Sequence, residues 1–407
     1  MRKTIGIMVG STLLGMGLLR TSNTIKPTTD VEFVKTSVAT FSTAESATNL
    51  QIRAKSAYLM DYNTQTPIYM QNEQARLPIA SMCKIMTLIL CFDAIEDGSL
   101  SLDEEITVSE RASSMGGSQV FLEANAKYRA SELIKSIVVC SANDSCVAMA
   151  EKIAGGESVF VDKMNEKAKA IGATNTLFAN CTGLPKEPQY SCAKDVAIML
   201  KTLLSHEEYY QFGKVWMDKF QHPKGRYTEI TNTNKLVRFY DGCDGGKTGF
   251  TNEAGFCLAA TAKRNDMRII SVVIGEENSA NRFDDVRTMF DYAFANYVAT
   301  PVVEGNTPLN THVTVNGGKE KTVGIYPERS AYVFEKRGEK SNITTELRLQ
   351  KMSAPIKKSE KVGELIMFKD GVEVDRVAVL SADDVNEASY FDYFKDIANA
   401  WNARSKR

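Results

Sequence analysis

Leu77-Pro78-Ile79-Ala80-Ser81-Met82-Cys83-Lys84-Ile85-Met86-Thr87-Leu88-Ile89-Leu90-Cys91-Phe92 is the stretch on which the reading of this chain turns. Pro78 suits the first turn of a helix, where its missing N–H would be unpaired in any case. The run from Ile85 to Phe92 is apolar nearly all round, the pattern of a helix buried on every side. Residues three apart share a helix face, so Ser81 and Lys84 point the same way, about one turn apart. The spacing predicts a serine hydroxyl beside an amine at the mouth of an oily helix, where desolvation drives the amine toward its neutral, basic form. A lysine whose stem packs while its head snorkels to water would use the same residues.

Two more motifs follow in fixed order, Ser141-Ala142-Asn143 and Lys247-Thr248-Gly249. Together with Ser81 and Lys84 they supply a nucleophile, a base, a relay hydroxyl and a cation for an anionic substrate. Ser141 is expected to start the helix running through Cys146-Val147-Ala148-Met149-Ala150, with an ordinary Ser/Asn/Asp cap as the competing reading. Duplicates of the first two motifs occur. Ser191-Cys192-Ala193-Lys194 lies in a polar stretch and is expected to open an exposed amphipathic helix. Ser279-Ala280-Asn281 is expected in a polar loop after the last motif, where it cannot complete the ordered set. Lys247-Thr248-Gly249 occurs once. It is followed by Phe256 to Ala262 and Arg268 to Ile274, which read as an antiparallel hairpin. A phosphate-loop reading of Gly246-Lys247-Thr248 fails, because Asp241 stands where that loop needs glycine.

The ordered set resembles that of penicillin-binding proteins and class A β-lactamases. The flanks Leu77 to Thr87, Ser141-Ala142-Asn143-Asp144, Asp244 to Thr251, Ala254-Gly255-Phe256, and Asn180 with Gly183-Leu184 are similar to the serine D-alanyl-D-alanine carboxypeptidases. That resemblance implies roles. Ser81 would attack the penultimate D-alanine of a peptidoglycan stem peptide, with Lys84 as its base. Ser141 would relay a proton to the leaving amine, and Asn143 would hold the substrate amide. Lys247, Thr248 and Gly249 would bind the terminal carboxylate, with Arg282 as an additional carboxylate-recognising arginine. The backbone N–H groups of Ser81 and Phe250 would form the oxyanion hole. β-Lactams would be covalent inhibitors. Ala142 replaces the family's common glycine, and no counterpart of the deacylating glutamate of class A β-lactamases is found. A β-lactamase, a D,D-endopeptidase and an inactive wall-binding homologue stay open as alternatives.

Other chemistries have little support. The three histidines, His206, His222 and His312, form no triad with a nucleophile elbow and are expected to face solvent. His206-Glu207-Glu208 is not a zincin helix, no cysteine pair has C-x-x-C spacing, and neither a metal nor a cofactor is expected. A formal net charge of -1 offers no basic field for nucleic acid.

At 407 residues the chain should hold about two domains. Met1-Arg2-Lys3 and the apolar run from Ile5 to Leu19 read as an export signal or an uncleaved N-terminal anchor (1–20). A Thr/Ser-rich linker follows (21–49). In an exported protein the eight cysteines invite disulfides, with Cys181 and Cys192 the pair to test first. Cys83, Cys91, Cys140 and Cys146, in apolar runs, read as buried thiols.

The fold expected is α+β: an antiparallel sheet with helices packed on and beside it over residues 50–298. Strands are expected at Ser56 to Met60 and Ile269 to Ile274, with helices around Phe160 to Asn165 and from Asp284 to Tyr297. Beyond Pro301 short alternating runs with turns at Asn316-Gly317-Gly318 and Asp370-Gly371 predict a small all-β, sandwich-like domain over 299–386. Residues 387–407 place Tyr390, Phe394, Ile397 and Trp401 on one helix face with a basic end. That pattern fits an amphipathic helix on a membrane surface, or one packed on the β-domain.

Overall fold

The computed structural model describes residues 50–404; the expected export signal and linker lie outside the described residues. Five strands form the central sheet: β1 (Ser56–Asp61), β2 (Pro67–Gln71), β3 (Cys243–Thr251), β4 (Gly255–Arg264) and β5 (Met267–Glu276). Their order is β2-β1-β5-β4-β3, every pairing antiparallel. All ten residues of β5 are buried, as a strand covered on both faces must be. Its side chains alternate between two apolar clusters. Ile270, Val272 and Ile274 join the layer containing the Ser81 helix, while Ile269 and Val273 meet Phe283, Val286, Met289 and Phe290 on the other side.

The larger helical layer holds α1 (Lys84–Glu96), α2 (Ala130–Cys140), α3 (Asn143–Ala154), α4 (Glu157–Ala170) and α5 (Ala193–Leu203). Every residue from Lys84 to Phe92 is buried, so the all-round apolar run meant what the pattern predicts. α6 (Ser279–Asn296) covers the opposite face of the sheet. Asn278 caps it, accepting from the N–H groups of Ala280 and Asn281, so Ser279-Ala280-Asn281 is a helix start and not the loop expected.

Further local expectations need correction. Ser191 and Cys192 are buried, and α5 packs Val196, Ala197, Met199, Leu200 and Leu203 into the core, so this duplicate does not open an exposed helix. Ser191 and the neighbouring Asp195 are used internally, while Lys194 is exposed. Asp195 accepts from the Asn175 N–H and the Thr176 hydroxyl, and Thr176 also bonds Ser191. His206 and His222 are buried; only His312 of the three is exposed. All eight cysteines are free, Cys181 and Cys192 included.

The chain leaves this domain through β6 (Tyr297–Val303), which pairs antiparallel with β9 (Ala331–Lys336). The other strands are β7 (His312–Asn316), β8 (Thr322–Pro327), β10 (Ile343–Leu349), β11 (Met352–Ser353), β12 (Lys361–Lys369) and β13 (Val372–Ser381). They form a six-stranded sheet in the order β10-β12-β13-β8-β7-β11. Asp370 and Gly371 both take positive φ in the β12–β13 turn, the hairpin geometry that Asp-Gly favours.

Helix α7 (Tyr390–Arg404) closes the described chain. Tyr390, Phe391, Phe394, Ile397 and Trp401 are exposed, Trp401 at 76%. Tyr393, off that stripe, has Lys321 Nζ 5.3 Å above its ring. The apolar face is therefore not packed on the β-domain, which removes one of the two readings of this segment.

Candidate active site

Ser81 lies in a single 3-10 turn, Ala80–Cys83, that feeds directly into α1. Ala80 adopts a positive φ of 47°, uncommon for a residue with a side chain, and so the chain bends sharply into the serine. Lys84 is fully buried, its Nζ 3.0 Å from Ser81 Oγ. The same nitrogen donates to the Thr182 carbonyl at 2.5 Å. Burial among apolar side chains pushes the Lys84 amine below the ordinary lysine range.

The Thr182 carbonyl is held in place by its own loop. Asn180 Oδ1 accepts from the N–H groups of Thr182 and Gly183, and Asn180 Nδ2 donates to the Leu184 carbonyl. Gly183 has φ +79° and lies so close to the serine turn that an added Cβ would sit 2.1 Å from the Ala80 carbonyl oxygen. Only glycine allows this contact.

Ser141 does not begin a helix. It ends α2 in the left-handed conformation (φ 64°, ψ 34°), and α3 starts two residues later. Neither the Ser141 nor the Asn143 side chain caps α3, so the ordinary-cap reading fails. Ser141 Oγ is buried with no hydrogen-bond partner, as is Asn143 Oδ1. Asn143 Nδ2 donates to the Gly116 carbonyl at 2.7 Å. The next residue, Asp144, is fully buried and accepts from the N–H groups of Val120, Leu122 and Ser145. Asn143 and Asp144 thus anchor the 116–122 loop to the start of α3.

Lys247 and Thr248 are buried on β3. Burial, reinforced by the charge of Lys84, lowers the Lys247 ammonium to about 7. Cys146, one turn into α3, is within electrostatic reach of both amines, which brings all three motifs to one place. The Thr248 hydroxyl donates to Thr233 Oγ1 at 2.8 Å, and the Thr233 N–H donates to the Val139 carbonyl, tying the third motif to the end of α2. At Gly249 an added Cβ would lie 2.6 Å from the Ile79 carbonyl oxygen, so β3 passes hard against the serine turn. Phe250 is half-exposed and stacks on Phe256 with ring centroids 4.2 Å apart.

Arg282 reaches the same strand from α6. Its guanidinium donates to the carbonyls of Gly249 and Cys257 and to the Ser279 hydroxyl. Phe256 and Phe283 lie within 5.3 and 4.9 Å of it. Its Nε is buried without a partner. Thr182 and Thr233 were not singled out from the sequence, and Asp144 only as a residue flanking the second motif. Each acts through a backbone contact or bridge whose partner is distant in the chain, which no local motif reveals.

A buried polar atom left without a partner costs about 1–3 kcal/mol. Ser141 Oγ, Asn143 Oδ1 and Arg282 Nε are buried without a partner inside the protein, so each can make a hydrogen bond with a group from outside it. A serine hydroxyl, a desolvated amine beside it and a second amine on the neighbouring strand are the parts a serine hydrolase needs.

Comparison with known proteins narrows the class. Residues 42–278 match the family model of D-alanyl-D-alanine carboxypeptidase, and residues 297–387 match that of the penicillin-binding protein 5 C-terminal domain. The chain belongs to the D-alanyl-D-alanine carboxypeptidase family. It is 39% identical to D-alanyl-D-alanine carboxypeptidase DacF of Bacillus subtilis, over 86% of this chain and 90% of that one. Among solved structures it is similar to penicillin-binding protein 5 of Haemophilus influenzae, with a TM-score of 0.65 and 28% identity. That match covers 83% of this chain and 98% of the other. It is also similar to penicillin-binding protein D2 of Listeria monocytogenes in its ampicillin-bound form (TM-score 0.55, 28% identity), over 60% of this chain and 99% of that one.

Proposed function

We propose that this chain is a serine D-Ala-D-Ala carboxypeptidase that removes the terminal D-alanine of a peptidoglycan pentapeptide, with Ser81 as nucleophile and Lys84 as base. The observation that carries the assignment of roles is the 3.0 Å approach of a fully buried amine to the serine hydroxyl. With Lys84 neutral, Thr182 accepts one of its N–H groups and the lone pair is left for the Ser81 proton. Ser81 Oγ attacks the penultimate D-alanine carbonyl, and the oxyanion is met by the backbone N–H groups of Ser81 and Phe250. Ser141 passes the proton on to the leaving amine, and the terminal D-alanine departs. Water then hydrolyses the acyl-enzyme.

Asn143 orients the substrate amide, while Lys247, Thr248 and Gly249 hold the terminal carboxylate. Arg282 adds positive charge behind the strand; its direct contacts are with main-chain carbonyls of β3 and β4, so it acts on the carboxylate through that strand. β-Lactams acylate Ser81 by the same route. The ampicillin-bound relative supports that reading.

The enzyme works on the outer face of the cell membrane, within wall synthesis and the maintenance of cell shape. Residues 1–20 serve as export signal or anchor, 21–49 as linker, 50–298 as catalytic domain, 299–386 as spacer and 387–407 as membrane-surface helix. The exposed stripe of Tyr390, Phe394, Ile397 and Trp401 supports the last assignment. No helix among the described residues is long and apolar enough to cross a membrane.

The deciding experiment offers the purified protein a pentapeptide ending in D-Ala-D-Ala and, separately, benzylpenicillin. Released D-alanine together with a penicillin adduct lost in Ser81→Ala supports the proposal. Rapid β-lactam hydrolysis without D-alanine release makes it a lactamase, cleavage of cross-linked dimers alone an endopeptidase, and no adduct a non-catalytic homologue.

A further inference from the structure

Far from the serine, α1 ends in an arrangement the peptidase reaction does not use. Asp93 and Glu96 stand one turn apart on its final turn, which contains no basic residue. Acidic side chains at a helix C-terminus add to the negative end of the helix dipole. Across from them, in the turn after α5, is His206, with only 7% of its side chain exposed. Its Nε2 is buried with no hydrogen-bond partner, facing Asp93 Oδ1 at 3.5 Å. Its Nδ1 lies 3.3 Å from Glu96 Oε2. One donor atom from each of the three residues falls within 4.8 Å of the other two.

We propose that Asp93, Glu96 and His206 form a divalent metal site of the zinc class, clamping the distal end of α1 to the segment after α5. Two donors on a tetrahedral zinc, each about 2.0–2.2 Å from it, are about 3.3–3.6 Å apart. The His206–Asp93 spacing is of that size, while the pair makes no hydrogen bond. One imidazole and two carboxylates suit a first-row divalent cation. An ion takes a single ring nitrogen, so with Nε2 as ligand beside Asp93 the exposed Glu96 side chain swings from Nδ1 to the ion and leaves the fourth position to water. The cation also adds positive charge at a helix end whose own last turn holds no basic residue.

The site has a rival inside the protein. Lys167 Nζ lies 3.0 and 2.8 Å from the two oxygens of Asp93. In the metal-bound form Asp93 gives Oδ1 to the cation and Lys167 is left with Oδ2 alone, so ammonium and metal compete for one carboxylate. The sequence reading of His206 looked to its neighbours Glu207 and Glu208. The partners come instead from a helix more than a hundred residues earlier.

The test uses the full chain, stripped with chelator and titrated with Zn²⁺, with metal content measured after desalting. The expected result is one Zn²⁺ per chain and a melting temperature raised by about 3 °C or more at a hundredfold excess over Kd. Glu96→Gln, at an exposed position, should weaken binding at least about tenfold. Lys167→Met should tighten it by removing the competing ammonium. D-Alanine release should stay the same in Glu96→Gln, because α1 carries this cluster about 13 Å from Lys84. No retained zinc, or binding unchanged in Glu96→Gln, overturns the proposal. Because neither variant touches the serine site, failure here leaves the peptidase assignment standing.

Discussion

Lys84 donates to the main-chain carbonyl of Thr182 across 98 residues of sequence, at 2.5 Å, and so a loop peptide holds the amine that faces Ser81. A carbonyl cannot take the proton Lys84 must accept, so the contact orients the amine without competing for the job of base. Lys84→Arg should therefore abolish function, since guanidinium stays charged at every working pH. The expected loss in penicillin acylation is about 10²–10⁴-fold, read by stopped-flow or intact mass. Acylation within a few-fold of the parent would show that Lys84 is not the base.

The two amines predict a bell-shaped pH dependence. Lys84 must be neutral, so activity rises as pH climbs through its depressed pKa. Lys247 must be charged to meet a carboxylate, and its free-enzyme value of about 7 means kcat/KM falls as pH rises beyond that. Lys247→Arg should move the alkaline limb upward. An alkaline limb that stays put would assign it to another group.

Gly183→Ala tests the packing of the loop on the serine turn. The added methyl meets the Ala80 carbonyl at 2.1 Å in a conformation with φ +79°. Destabilisation of about 1–3 kcal/mol is expected, together with slower acylation, because the displaced loop carries the Thr182 carbonyl. Urea unfolding and acylation rates measure the two effects. A stable variant with normal acylation would mean the loop yields freely.

Glu276, at the end of β5, is buried with neither carboxylate oxygen hydrogen-bonded to a donor. Burial, then the Asp285 carboxylate beside it, raise its pKa to about 8, with Arg53 opposing. The folded state therefore binds more protons than the unfolded state between the ordinary carboxylate value and about 8. Stability falls as pH rises through that window. Glu276→Gln should remove the slope, so that its melting temperature exceeds the parent's by more at pH 8.5 than at pH 5. Parallel profiles would sink this account.

Truncation of residues 390–407 tests the outward stripe of α7. The parent should sediment with vesicles containing anionic lipid, and the truncated protein should stay in the supernatant with unchanged D-alanine release. Equal sedimentation would show that the exposed stripe is not what holds the protein to the membrane.

Much of this was legible in the chain itself. The Ser81–Lys84 spacing and the apolar run after it set a hydroxyl and an amine on one buried face, because helical geometry is local. Alternation and Asp-Gly turns marked the β-rich region for the same reason. Local polarity misled at Ser191, His206 and His222: Ser191 and His222 are hydrogen-bonded inside the fold, and His206 is buried facing carboxylates from a helix more than a hundred residues earlier. It also misled at Ser141, which ends one helix where a cap for the next was expected.

Sequence alone determined which groups are present and which near neighbours share a face, since those depend only on backbone periodicity. Tertiary structure decided what depends on chain crossings: Thr182 on Lys84, Thr233 on Thr248, β3 against the serine turn, and His206 opposite Asp93. These contacts join segments from 15 residues apart (Thr233 and Thr248) to 170 apart (Ile79 and Gly249). Desolvation then sets the proton affinity of each amine, and burial of that kind exists only once the layers have packed.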